Sequence, residues 1–362
     1  MKRSPSFWLK GLLPIGGLVL GLLSMEAALR IAAVMVRPRF TRVDDTLGWY
    51  HTPGASGHRR MEGHDHVLSY NASGFRGQDI PFERTRAPRV VFLGDSFVDG
   101  SEVGDREVFS DRLEKHFPCL EVVNLGVYGY STAQELLAFE RVGSRYSPDL
   151  VVLVTSSNDF AGNILNFSEF GPAPRFLLAG DSLVFEGTDH PEARRVSRAI
   201  SLPVPGWRFL HAHSHLYWMV NSRIYQMLRA SGIRELERQQ LGRYTLEEQQ
   251  RLYWHLVRRL HDLTRSQRIE LVVVFIYQRD ELRPDSVSPQ APVIERLRTS
   301  GIALLDLYQS FTQALSASHE PLFYERDIHW NAAGHRVFAD LVSPVLKETL
   351  GRLHPHSCMA AS

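Results

Sequence analysis

The sequence predicts an α/β fold with a central parallel sheet of five strands, and two observations favour this fold. Short runs of apolar, β-forming residues recur along the chain, and the stretches between them have the length and polarity of helices. Strands separated by such helices form right-handed βαβ units, which build parallel sheets. Several runs also end in small or polar residues, as strands do where they meet a tight turn.

The five predicted strands alternate with helices from residue 89 onward. The strands are Val90–Leu93, Leu120–Leu125, Leu150–Val154, Ile269–Tyr277 and Ile302–Leu307. Helices are predicted over Glu107–Phe117, from the N-capping residues Ser131 and Thr132 to about Tyr146, over Leu246–Gln267 and over Asn331–Leu350. Between the third and fourth strands, residues 160 to about 244 interrupt the alternation with a predicted hairpin, Phe176–Phe185, and a helix near Leu216–Ala230. This stretch is interpreted as a cap inserted over the sheet edge.

Composition sets limits on the partners. The chain has 362 residues with 44% hydrophobic and 22% charged residues, which is ordinary globular composition. The net charge of +1 gives no reason to expect a nucleic-acid partner. Cys119 and Cys358 are too few for a disulfide framework or a cysteine-based zinc site, and they indicate little about redox compartment. His211, His213 and His215 alternate in a polar stretch without a suitably spaced carboxylate or cysteine, so no metal site is predicted there.

The N-terminus predicts a membrane anchor over residues 1–36. Basic residues precede an uncharged run from Gly11 to Met25. The run continues from Ala27 to Val36, and the whole stretch is broken only by Glu26 and Arg30. These two residues are four apart and can pair on one helix face. About 20 apolar residues span a bilayer, and the leading basic residues place the N-terminus in the cytoplasm and the body outside. A cleaved signal peptide and a soluble amphipathic helix are the alternatives.

Three further segments complete the predicted organisation. Residues 37–88 contain short strands and turns with several aromatics, and are interpreted as a connector that packs on the main domain or, alternatively, as a substrate-facing arm. Residues 89–350 form the main domain with its insertion. Residues 351–362 are expected to be a disordered tail.

Polar residues follow the strands at the sheet edge where ligands bind in α/β folds. Ser96, in Gly94-Asp95-Ser96, is a candidate nucleophile, although Ser96 also suits a helix N-cap. A serine hydroxyl needs a base, and His329 is the candidate, with a helix-capping histidine as the alternative. Asp327 lies two residues away and can accept the Nδ1 proton, which leaves Nε2 facing the serine.

Three groups are candidates to stabilise negative charge on a reaction intermediate. Gly126 and Gly129 follow the second strand and can present backbone N–H groups, although both also suit turns. Asn158, in Ser157-Asn158-Asp159 after the third strand, offers a side-chain amide. Asp95 and Asp159 are interpreted as residues that hold their own loops, and His335 as a structural residue of the last helix.

The candidate residues fall in four short blocks: Gly94-Asp95-Ser96, the run from Asn124 to Gly129, Ser157-Asn158-Asp159 and Asp327-Ile328-His329. These four blocks resemble those of the SGNH (GDSL-like) hydrolase superfamily in residues, order and position, over about Arg89–Leu350. The resemblance implies a flavodoxin-like three-layer sandwich with a Ser-His-Asp triad of Ser96, His329 and Asp327. It also implies an oxyanion hole of the Ser96 N–H, the Gly129 N–H and the Asn158 amide. It implies no cofactor.

Two blocks differ from the usual pattern. Ser156 and Ser157 replace small residues of the third block. The last block reads Asp-x-His-Trp, with Arg326 where the acid usually stands, and this form resembles alginate O-acetyltransferase-like proteins. The anchor, with Gly48-Trp49 and Gly74-Phe75-Arg76, resembles a membrane-tethered bacterial subgroup of the superfamily.

The sequence therefore predicts an exported serine esterase that acts on an O-acylated carbohydrate or cell-envelope substrate. We expect a single-pass protein of the bacterial inner membrane, with its catalytic domain in the periplasm or outside the cell. An O-acyltransferase that modifies an exported polysaccharide is the first alternative. A non-catalytic subunit for envelope assembly or glycan binding is the second.

Overall fold

A parallel sheet of five strands forms the centre of the protein. The computed structural model describes residues 5–36, 40–85, 87–168, 171–189, 204–206, 209–210, 213–228, 234–282 and 290–359. The sheet strands, in chain order, are β1 (Arg89–Leu93), β2 (Glu121–Asn124), β3 (Leu150–Thr155), β4 (Glu270–Phe275) and β5 (Ala303–Asp306). All neighbouring strands are parallel, which confirms the predicted fold class. Their order across the sheet, β2-β1-β3-β4-β5, is that of flavodoxin-like doubly wound folds.

Helices cover both faces of this sheet. Every residue of β1 and β3 is buried, as expected of strands whose apolar side chains face a helix layer on each side. Phe109–His116 and Ala332–Leu353 pack together on one face, and Thr132–Arg141 and Leu246–Ser266 pack together on the other. The remaining described helices are Pro5–Val36, Ser96–Asp99, Asn158–Gly162, His215–Leu228, Arg234–Leu241, Ala291–Thr299 and Tyr308–Ala317.

The helix predicted from Ser131 to about Tyr146 is shorter than expected. Ser131 and Gln134 form a capping box at its start, but the α-helix ends at Arg141, and a 3₁₀ turn follows at Gly143–Tyr146. A Cβ on Gly143 would lie 2.7 Å from the Phe139 ring. The chain therefore tightens where a glycine allows backbone to approach an aromatic ring.

The segment ahead of β1 forms two antiparallel hairpins. Thr41–Asp44 pairs with Gly48–His51, and Ser56–Met61 pairs with His64–Ser69. Trp49, Tyr50 and Phe75 belong to the same hydrophobic core as the sheet. The aromatic side chains of this segment therefore pack on the main domain.

The insertion contains the hairpin and the helix that the sequence predicts. Arg175–Ala179 pairs with Ser182–Glu186 around Gly180, whose φ of +64° suits the turn, so the predicted hairpin is confirmed. A shorter pair, Phe167–Ser168 with Gly171–Pro172, precedes it. The helix predicted near Leu216 is found at His215–Leu228, and His211 lies outside the described residues.

The N-terminal helix, Pro5–Val36, is long and apolar enough to cross a membrane between Leu12 and Ile31, and none of that stretch is buried in the protein. Near its end, the Glu26 carboxylate pairs with Arg30 at 2.8 Å. It also accepts hydrogen bonds from the N–H groups of His215 and Leu216, at 3.0 and 2.9 Å. The long helix thus caps the first turn of the insertion helix.

The prediction of a disordered tail is wrong for residues 351–359. The closing helix continues to Leu353, a disulfide joins Cys358 to Cys119, and Met359 is buried against the core. The two Cα atoms of this disulfide are 6.0 Å apart although the cysteines are separated by 239 positions in the sequence. Because the pairing is between distant parts of the chain, no local pattern indicates that the tail is fixed.

Candidate active site

The loops that follow β1 and β3 form one wall of the candidate site. In a flavodoxin-like sheet, a crevice opens between these two strands at their carboxyl ends, where the chain leaves them in opposite directions. Ser96 begins the helix after β1, and Asn158 begins the helix after β3. His329 reaches the same place from the loop before the last helix.

The turn after β1 presents the hydroxyl of Ser96. Asp95 is the N-cap of the Ser96–Asp99 helix, since its Oδ1 accepts the Phe97 N–H at 2.9 Å. The alternative that Ser96 caps this helix is therefore excluded. A Cβ on Gly94 would lie 2.2 Å from a Val98 methyl group, so the turn is tight enough to require glycine.

His329 lies against this serine. Its Nε2 is 2.6 Å from Oγ of Ser96, and both residues are buried. The last helix is capped by Asn331, whose Oδ1 accepts the N–H groups of Ala333 and Gly334 at 2.9 and 3.1 Å. His329 is therefore not the cap, and its ring is available for other chemistry.

Asp327 orients the imidazole from its other side. Its Oδ1 accepts hydrogen bonds from both the backbone N–H and the Nδ1 of His329, the former at 2.9 Å. This arrangement directs the Nδ1 proton toward the carboxylate and leaves Nε2 as the acceptor for the Ser96 hydroxyl. The shortened Asp-x-His spacing thus still brings acid and base into contact.

Nearby carboxylates control the charge of this histidine. Burial alone would favour the neutral ring, but the Asp327 hydrogen bond, with Glu102 and Asp95 nearby, raises the pKa of His329 above 6.5. In turn, the hydrogen bond from His329 keeps the pKa of Asp327 below 3.8 despite its partial burial. The pair therefore favours an ionised acid next to an imidazole whose pKa is above its usual value.

Asn158 is held on both sides of its amide. Nδ2 donates to Oδ2 of Asp95 at 2.7 Å, and Oδ1 accepts the hydroxyl of Ser156. An amide nitrogen carries two hydrogens, so one N–H remains after the bond to Asp95, and Asn158 is exposed. Ser156, which replaces a small residue of the usual block, therefore helps to orient the amide.

The two candidate glycines differ in their backbone contacts. The N–H of Gly126 donates to Oδ1 of Asn124 at 3.0 Å, and a Cβ there would lie 2.2 Å from the backbone nitrogen of Asp99. Gly126 therefore serves a close backbone approach. Gly129 is exposed, has a φ of +75°, and shows no hydrogen bond from its N–H within the described part of the chain.

Asp159 holds the third loop. Its carboxylate accepts the hydroxyls of Thr132 and Thr155, both at 2.9 Å, and the N–H of Ser156 at 3.0 Å. Burial, together with the nearby carboxylate of Asp95, raises the pKa of Asp159 to about 7. His335 is also buried, and burial lowers its pKa to about 3, so its ring stays neutral inside the last helix.

A buried polar cluster behind the serine was missed by sequence reasoning. Asp99 ends the Ser96–Asp99 helix, and His51 Nε2 and the Tyr70 hydroxyl lie 3.1 and 3.0 Å from its Oδ1. Burial alone would raise the pKa of Asp99, but His51 and Arg76 outweigh burial and hold it below 3.8. These partners come from the segment ahead of the sheet, and no local spacing connects them to Asp99.

Comparison with known families gives a match over most of the chain. The sequence model of the GDSL-like Lipase/Acylhydrolase family matches residues 92–337, a stretch that includes Ser96, Asn158 and His329. No curated protein sequence matches the chain.

The residues that match the family model make up more than half of the chain. Several solved structures also resemble the protein, at low sequence identity. A GDSL-like lipase from Bacteroides thetaiotaomicron is 13% identical, with a TM-score of 0.39 over 74% of this chain and 92% of that chain. A two-domain esterase active on acetylated mannans is 14% identical, with a TM-score of 0.40 over 73% of this chain and 50% of that chain. An acetyl xylan esterase is 12% identical, with a TM-score of 0.40 over 71% of this chain and 99% of that chain. Because residues 92–337 match the family model, the chain belongs to the GDSL-like lipase/acylhydrolase family.

Proposed function

We propose that the protein is a serine esterase in which Ser96, His329 and Asp327 form the catalytic triad. The observation that carries this proposal is the continuous chain of contacts from Oγ of Ser96 through the imidazole of His329 to Asp327. A serine hydroxyl that lies 2.6 Å from a buried imidazole nitrogen can lose its proton as it attacks an acyl group.

The proposed reaction has two halves. In the first, Oγ of Ser96 bonds to the ester carbonyl carbon while its proton passes to Nε2 of His329. The tetrahedral intermediate then collapses, the carbon–oxygen bond to the alcohol breaks, and His329 gives that proton to the alcohol. In the second half, water attacks acyl-Ser96 with His329 again as the base, which releases a carboxylic acid and restores the serine.

Three donors would stabilise the negative oxygen of each tetrahedral intermediate. They are the backbone N–H groups of Ser96 and Gly129 and the remaining N–H of Asn158. Donors that are already in position stabilise the developing charge effectively, because they need no reorganisation during the reaction. The Asp95 and Ser156 hydrogen bonds to the Asn158 amide support this role.

We also propose that the N-terminal helix anchors the protein in the bacterial inner membrane and that the catalytic domain works outside the cytoplasm. The exposed apolar stretch from Leu12 to Ile31 has the length of a bilayer span. The Cys119–Cys358 disulfide supports an oxidising compartment, because such bonds are rare in the cytosol. O-Acylated carbohydrates and cell-envelope lipids are the substrates that such a location favours.

Hydrolysis of a chromogenic acetyl ester by the full-length protein in detergent tests the proposal. We expect turnover by the natural protein and at least a 10³-fold loss in Ser96→Ala. Equal rates for the two proteins would overturn the catalytic proposal, and rates that both equal the uncatalysed background would favour the non-catalytic alternative. Consumption of the ester only when an oligosaccharide acceptor is added would favour the acyltransferase alternative, because that enzyme passes the same acyl group to a sugar hydroxyl.

A further inference from the structure

A tryptophan from outside the family match contacts the loop that carries Gly129. The indole Nε1–H of Trp49 donates to the backbone carbonyl of Tyr128 at 2.9 Å, and the ring is buried. Tyr128 and Gly129 share one peptide group. The hydrogen bond therefore fixes the same rigid plane that holds the Gly129 N–H.

The position of this peptide in its turn makes its orientation important. The N–H of Tyr130 donates to the carbonyl of Val127 at 3.1 Å, so the Tyr128–Gly129 peptide is the central one of a β-turn. The φ of +75° at Gly129 is that of the third residue of a type II turn. Type I and type II turns differ by a flip of this central peptide, which exchanges the directions of its C=O and N–H.

The hairpin that carries Trp49 is hydrogen-bonded both to this loop and to the helix that follows it. The hydroxyl of Tyr130 donates to the carbonyl of Trp49 at 2.6 Å, and the two rings meet edge to face at 5.6 Å. The side chain of Gln134 donates to the carbonyl of Leu47 at 2.8 Å. The indole is therefore held rigidly where it can act on the Tyr128 carbonyl.

We propose that Trp49 is a positioning residue for the oxyanion hole. By holding the carbonyl of Tyr128, its indole N–H keeps the turn in the type II form and the Gly129 N–H on the opposite side of the peptide, available to the substrate oxygen. This inference rests on the proposed function, because it assumes that Gly129 is an oxyanion donor. It assigns a role in the reaction to a residue that precedes the catalytic domain in the sequence.

The sharpest test removes the indole N–H without changing the ring. Replacement of Trp49 by β-(3-benzothienyl)alanine puts sulfur in place of N–H, and Trp49→Phe is the simpler variant. In the full-length protein we expect kcat for a chromogenic acetyl ester to fall by about 10- to 10³-fold, with KM little changed. The upper end of this range is the loss of kcat that removal of one oxyanion donor causes. The affinity for a boronic acid, whose serine adduct is a tetrahedral anion, should fall in parallel.

A matched control is available in the same strand. The hydroxyl of Tyr50 also donates one hydrogen bond to a backbone carbonyl, that of Ser73 at 3.0 Å, so Tyr50→Phe should leave kcat unchanged. An unchanged kcat and boronate affinity in both Trp49 variants would overturn the inference, as would equal losses in Tyr50→Phe. Failure of the proposed function gives a different result, because Ser96→Ala would then be as active as the natural protein.

Discussion

The amide nitrogen of Asn158 lies 2.7 Å from Oδ2 of Asp95, so a direct hydrogen bond joins the loop after β1 to the loop after β3. The other oxygen of Asp95 caps the helix that begins at Ser96. One carboxylate therefore fixes both the turn of the proposed nucleophile and the amide of a proposed oxyanion donor.

Asp95→Asn should separate these two tasks. Asparagine is a good N-cap, so the helix at Ser96 should persist. Its amide nitrogen would replace the oxygen that faces Asn158, and two donors would then oppose each other. We expect kcat for an acetyl ester to fall by about 10²–10³-fold, as for loss of one donor, with a small change in melting temperature.

The double variant Asp95→Asn with Asn158→Ala provides the control. If Asp95 acts through Asn158, adding Asp95→Asn to Asn158→Ala should cause little further loss of kcat. Losses that multiply would show that Asp95 acts independently of the amide.

The pH dependence of kcat/KM should reveal the charge of His329. The imidazole acts as a base only when neutral, and its neighbours raise its pKa above 6.5. The rate should therefore rise with pH, with the midpoint of the acidic limb above pH 6.5. A midpoint below 6.5 in the natural protein would contradict the role of Asp327 and the nearby carboxylates in raising this pKa.

Asp327→Asn should change both the height and the position of that profile. Removal of the carboxylate charge lowers the pKa of His329, so the acidic limb should move to lower pH. The plateau should fall by about 10²–10⁴-fold, because the asparagine no longer enforces the required tautomer. A plateau near that of the natural protein would assign the orienting role to another carboxylate, with Glu102, which is buried near His329, as the next to test.

Loss of the disulfide should lower stability without loss of catalysis. Cys119 precedes the amino end of β2, at the opposite end of the sheet from Ser96. Replacing both cysteines by serine should cost about 2–4 kcal/mol of unfolding free energy and lower the melting temperature by several degrees. The kcat for the acetyl ester at 25 °C should remain within about twofold, because the candidate site lies at the carboxyl ends of the strands, away from the disulfide.

The single variants Cys119→Ser and Cys358→Ser should resemble the double variant, because either change breaks the same bond. A natural protein whose melting temperature is insensitive to dithiothreitol would contradict the stabilising role of this bond.

Local patterns in the sequence were sufficient to predict the sheet. β1 and β3 are continuous apolar runs, and both are buried along their full length because helices cover both faces of the sheet. Ser96 and Asn158 could be chosen as site residues because they follow the ends of these runs, and the carboxyl ends of parallel strands lie on the same side of an α/β sheet. The structure brings these residues together with His329, and their roles remain predictions.

Contacts between distant segments could not be predicted in this way. The Cys119–Cys358 bond joins residues separated by 239 positions, and the hydrogen bond from Trp49 to Tyr128 joins residues separated by 79 positions. Neither contact has a periodicity or a fixed spacing that a single sequence displays. The ordered tail and the support of the Gly129 loop were therefore visible only in three dimensions.

The same disulfide determines what a single proteolytic cut would do. The exposed turn at Gly180 and Asp181 lies between Cys119 and Cys358 in the sequence. A cut there would leave Ser96 on the fragment that carries Cys119, and His329 on the fragment that carries Cys358. The two halves of the proposed triad would stay covalently joined, so a nicked enzyme would migrate as one chain until a reductant separates its nucleophile from its base.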